Sequence, residues 1–137
     1  MAEETVDGAV IDRCFAGLEA GDVDAALACL APDATVWHGF DRVAHDLGGV
    51  RAGWEKLVAG TSHRAVVDVR RAPTPTGFVQ QHLLTMRTHT GIRLAWPVCI
   101  VVRIRAGRIS RIDEYVDRAG HFTLSEDRGR TDPKLGE

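Results

Sequence analysis

A chain of 137 residues, 45% apolar and 26% charged with a formal charge of -2, suits one folded domain with a core large enough to enclose a small cavity. Its apolar runs fall far short of a membrane span and its acidic start, MAEETVDG, lacks both parts of a signal peptide, so a cytoplasmic location without membrane contact is expected. The small net charge removes the electrostatic footprint of a nucleic-acid binder, and the seventeen Lys and Arg residues read as solvated sheet surface.

Apolar residues recur at helical spacing from Val6 to Leu18 (Val6, Ala9, Val10, Cys14, Phe15, Leu18), and Ala20-Gly21 closes that first helix. Asp22 caps a short second helix with Val23, Ala26, Leu27 and Leu30 inside, and Pro32-Asp33 turns the chain. Thr35 to His38 is the first predicted strand, Phe40 to Leu47 reads as loop, and Gly49 to Ala59 carries Val50, Trp54, Leu57 and Val58 on one helical stripe.

Beyond Gly60 the texture becomes β. Ala65 to Arg71, Phe78 to His89, Ile92 to Arg105 and Arg108 to Val116 are rich in Val, Ile, Thr and aromatic residues. The breaks PTPTG, THTG and RAG are hairpin signals, so these four strands pair antiparallel with the helices on one face. One domain over residues 1–124 and a charged, disordered tail over 125–137 complete the organisation. Cys14, Cys29 and Cys99 are few, scattered and set among apolar residues, as buried reduced thiols are, and the sequence shows no metal-ligand spacing.

The stretch RCFAGLEAGDVDAALACLAPDATVWHG resembles the start of ketosteroid isomerases, with the Ala20-Gly21-Asp22 break and the Asp33-Ala34-Thr35-Val36 entry to a strand, and GRISRIDEYVD is similar to their last strand. The resemblance covers roughly Val10 to Asp117 and extends to SnoaL-like polyketide cyclases, limonene-epoxide hydrolases and scytalone-type dehydratases. It implies an α+β, NTF2-like cone: three N-terminal helices packed on a curved, mainly antiparallel sheet. It also implies a homodimer through the outer sheet face, where Arg70, Arg87, Arg103 and Arg111 would lie.

By that resemblance the isomerase carboxylate falls on His38, and the two oxyanion donors fall on Cys14 and Cys99. Thiols are weak donors, so the likeness does not extend to ketosteroid isomerisation itself. The epoxide hydrolases' last-strand aspartate aligns with Glu114, but their Arg-x-Asp pair has no counterpart in QQHLLT. The dehydratases' middle-strand histidine matches His82.

Strand alternation gives these positions their faces: Val36 with His38, Phe78 with Gln80, His82 and Leu84, and Ile112 with Glu114 and Val116. Tyr115 and Asp117 fall on the opposite face. His38, His82 and Glu114 are the candidate catalytic groups, because a histidine titrates near neutral pH and a carboxyl on an apolar face acquires a raised pKa. Each has a bland alternative: a strand-end histidine, a core histidine, a solvated glutamate. Gln80, His82 and Glu114 could simply satisfy one another. Cys14, Phe40, Asp41, Trp54, Gln80, Trp96 and Cys99 are candidate substrate contacts, with Asp41 able to orient His38 and the aromatic residues equally at home as plain core.

The expected function is cofactor-independent acid-base chemistry, a dehydration, isomerisation or cyclisation, on a hydrophobic, oxygenated small molecule. The alternative is a non-enzymatic ligand-binding or dimeric association module.

Overall fold

The computed structural model describes residues 8–118 and 122–123. Val6 and the predicted tail over 125–137 lie outside the described residues. The first helix, α1 (Ala9–Ala20), stops at Gly21, whose left-handed φ of 79° lets its N–H reach back to the carbonyls of Gly17 and Leu18. Asp22 then accepts a hydrogen bond from the Ala25 N–H and starts α2 (Val23–Leu27).

Leu30, read as part of that helix, instead opens β1 (Leu30–His38), five positions ahead of the expected start. The supposed Pro32-Asp33 turn is an irregularity within the strand: β1 advances from Leu30 to Thr35 while its partner advances only from Ile109 to Arg111. Proline has no N–H to give a ladder, and a bulge accommodates that.

The predicted Phe40–Leu47 loop holds a second short strand, β2 (Val43–His45), antiparallel to β1 with Val36 opposite His45 and His38 opposite Val43. Its tight turn places Arg42 at φ 60° and has the Asp41 carboxylate accept from the Val43 N–H at 3.0 Å. Asp46 caps α3 (Leu47–Gly60), accepting from the Gly49 N–H.

Four long strands follow: β3 (Thr61–Thr74), β4 (Gly77–Thr88), β5 (Arg93–Arg105) and β6 (Arg108–Val116). Two-residue β7 (Phe122–Thr123) pairs with the start of β5. The sheet order is β2-β1-β6-β5-β4-β3, antiparallel throughout except for the parallel β1–β6 pair. The four-strand meander and the helix-covered α+β cone are thus as the sequence implied.

Curvature has a local cause. β3 is interrupted by two register shifts, around left-handed His63 (φ 55°) and Asp68 (φ 57°), and such bulges bend a strand. The β5–β6 hairpin closes through Ala106 (φ 52°) and Gly107 (φ 78°), the paired left-handed geometry of a tight two-residue turn. Helices and the concave sheet face bury Ile11, Cys14, Phe78, Ile100, Val102 and Ile109 at one end of the cone. The other end stays hollow. No helix among the described residues is long and apolar enough to cross a membrane.

Candidate active site

A cavity of about 550 Å³ lies between α1, α3 and the concave face of the sheet, walled by Phe15, Val36, Trp54, Leu84, Trp96 and Ile100 among others. His38, His82 and Glu114 all line it, and so do Phe40, Asp41, Trp54 and Trp96. The remaining three expected contacts lie elsewhere. Cys14 is fully buried in the core against α1's neighbours, where burial, with Cys29 adding, pushes its thiol far above the usual range. Cys99 stands opposite Gln81 and Tyr115 on the outer face, because its neighbours Val98 and Ile100 are the inward ones. Gln80 is fully buried behind the wall, acting on His82 rather than on the cavity.

The parallel register sets His38 of β1 directly beside Glu114 of β6, both on the concave face. His38 Nε2 lies 3.4 Å from Glu114 Oε1. Burial raises the Glu114 carboxyl to about 7, with Arg118 pulling the other way, since a charge removed from water is disfavoured. Burial likewise lowers His38, against the opposing pull of Asp41. The imidazole stacks on half-exposed Phe40 at 4.7 Å between ring centres, and the Arg118 guanidinium lies over the Phe40 ring at 4.2 Å from its centre.

His82 is set by a chain of side chains from three elements. Asp12 of α1 pairs with Arg71 Nη2 at 2.6 Å, and Arg71 Nε donates to Gln80 Oε1 at 2.9 Å. Gln80's oxygen is thereby committed, so its amide donates to His82 Nδ1 at 3.1 Å. That leaves His82 neutral, with its proton on Nε2. Burial, helped by the positive charge of Arg71, holds His82 down at about 4, in agreement with a neutral ring. Phe15 packs edge-on against it.

His82 and Glu114 therefore do not satisfy each other: one binds Gln80 and the other faces His38. Sequence reasoning missed three participants. Arg71 and Asp12 are distant in sequence and meet only through the α1–β3 packing. His45 was hidden by the loop assignment, and with His38 and Asp41 it brings one ligand-type atom from each residue within 4.8 Å of the others, a cluster whose spacing, His-x-x-Asp-x-x-x-His, was there to be read.

A family model for the SnoaL-like domain matches residues 11–112, and the chain belongs to that family. No curated protein matches the sequence significantly. Among solved structures, a candidate polyketide cyclase from Pseudomonas putida KT2440 is similar with a TM-score of 0.70 at 18% identity, over 85% of this chain and 95% of that one. An LEH-like epoxide hydrolase of M. tuberculosis superposes with a TM-score of 0.66 at 18% identity, over 80% of each chain. A protein with a ketosteroid isomerase-like fold from Catenulispora acidiphila, in complex with trimethylamine, gives 0.68 at 13% identity, over 77% of this chain and 83% of that one. Identities this low establish the NTF2-like fold and leave the chemistry to the site.

Proposed function

We propose that this SnoaL-like protein is a small-molecule enzyme performing acid-base chemistry, a dehydration, isomerisation or cyclisation, on a hydrophobic, oxygenated substrate. The observation that carries the reading is the convergence of His38, His82 and Glu114 on one largely apolar cavity. Glu114 takes a proton from carbon next to a substrate carbonyl, and His38 beside it holds the carboxyl in place. Neutral His82, a fixed Nε2–H donor, meets the oxygen on which negative charge develops. The proton returns from Glu114 at a second carbon in an isomerisation or cyclisation, or leaves with a hydroxyl as water in a dehydration.

Apolar walls select a hydrophobic skeleton, and the few polar groups fix its oxygenated end. The outer sheet face is the proposed homodimer surface, carrying Arg70, Arg87, Arg103 and Arg111, whose register positions all fall on that side; light scattering showing a monomer removes that part.

The test is incubation with a panel of cyclic hydroxyketones, enones and epoxides, followed by mass-spectrometric detection of products. Turnover of one class, lost in both His38→Ala and His82→Ala, supports the mechanism. Turnover that survives both single changes overturns it, and binding of a ligand without consumption favours a carrier instead.

A further inference from the structure

The β1–β2 hairpin carries a second constellation, distinct from the proton-transfer trio although it shares one residue with it. His38 ends β1, Asp41 sits in the turn, and His45 ends β2 opposite Val36, so both histidines project from the concave face. Asp41 Oδ2 lies 2.8 Å from His45 Nε2 and 3.8 Å from His38 Nδ1. A metal bound at about 2.1 Å to each ligand needs ligand atoms on the order of 3.0 to 3.4 Å apart, between the two observed spacings. The third pair, His38 Nδ1 and His45 Nε2, lies within 4.8 Å, so the set closes with side-chain movements on the order of an ångström.

Two further observations point to a ligand. His38 Nδ1 is buried and makes no hydrogen bond among the described residues, with Asp41 Oδ2 too far for one at 3.8 Å, and a buried polar atom left without a partner is unfavourable. Its other nitrogen, Nε2, faces the Glu114 carboxyl at 3.4 Å, the place an outer-shell carboxylate takes behind a metal-bound histidine. The other two side chains are held as well. Asp41 uses Oδ1 on the Val43 N–H, which aims Oδ2 at the histidines. The His45 ring leans on Gly49, where a Cβ would come within 3.1 Å of it.

We propose that His38 Nδ1, Asp41 Oδ2 and His45 Nε2 bind one divalent first-row transition-metal ion at the cavity mouth, with Glu114 holding the His38 Nε2–H. Two imidazoles and one carboxylate suit zinc, iron(II) or cobalt(II) and disfavour magnesium and calcium, which prefer oxygen. Three protein ligands leave positions open toward the cavity for water or a substrate oxygen. This revises the expectation of a site without metal. It stands apart from the acid-base reading, since a chain that turns over nothing still binds the ion.

The test uses the full, untagged chain stripped with a chelator and titrated with Co²⁺, read by visible d–d absorption, then competed with Zn²⁺. One ion per chain with a Kd below about 10 µM is expected. His45→Ala and Asp41→Asn should each weaken binding at least about 100-fold, whereas His63→Ala, at an exposed histidine paired with Ser62, should change nothing. His45→Gln, with circular dichroism of every variant, separates lost ligation from lost folding. No stoichiometric cobalt spectrum in the folded wild-type chain, or an unchanged one in folded Asp41→Asn and His45→Gln, overturns the site.

Discussion

His38 and Glu114 are direct neighbours in the parallel ladder between β1 and β6, and their side chains meet at 3.4 Å inside the cavity. Because strand pairing rather than a flexible loop sets this contact, the carboxyl is positioned before any substrate arrives. Glu114→Gln keeps the shape and removes the proposed proton acceptor. The expected outcome, on the first substrate found, is a kcat lower by about 10²–10⁴ with an unchanged circular dichroism spectrum. A Glu114→Gln enzyme with wild-type kcat would show that the proton goes elsewhere.

The commitment of Gln80 to Arg71 makes a prediction that needs no substrate. Long-range ¹⁵N NMR of His82 should show a neutral ring protonated on Nε2 at pH 7. Gln80→Leu removes the donor to Nδ1, so the ring should then populate both tautomers. Arg71→Ala should do the same more weakly, because the amide is freed to turn. An Nδ1-protonated ring in the wild-type chain contradicts the role given to His82.

Gly77 opens β4 with its Cα against β5. A Cβ placed there would lie 1.8 Å from the Val102 carbonyl oxygen, a backbone atom that cannot swing aside. Gly77→Ala must therefore part β4 from β5 locally, at a cost of about 1–3 kcal/mol. A urea midpoint equal to that of the wild type would mean the strands separate freely there.

The β4 to β6 region was legible because alternation is a backbone property: Phe78, Gln80, His82 and Leu84 share the concave face, as do Ile112, Glu114 and Val116. Cys99 shows where a different kind of reasoning overrode it. Its inward placement came from a family position, yet Val98 and Ile100 on either side are buried and leave Cys99 outside. Strand β2 was illegible because three residues carry no period, and what holds them is the β1 ladder and the Asp41 turn. Losing β2 meant losing His45. The Asp12–Arg71–Gln80 chain joins residues 59 and 9 positions apart, and Asp12 and Arg71 meet only when α1 packs on β3.

The buried state of His82 also fixes a stability profile. Its folded pKa is about 4 against an ordinary 6.5, so between those values the unfolded chain binds a proton that the folded chain refuses. The contribution is complete above pH 6.5 and is lost as pH falls toward 4. Arg71, paired to Asp12, is the cation that adds to burial in depressing the value, and Gln80 and Phe15 complete the surroundings without charge. Because the buried ring still lines the open cavity, the loss by pH 4 is between about 1 and 3 kcal/mol. Urea unfolding at pH 7 and pH 4.5 should show wild type losing more stability than His82→Asn, which has no proton to bind. Equal losses in the two proteins would mean that His82 titrates normally in the fold and that the Gln80 hydrogen bond does not hold it neutral.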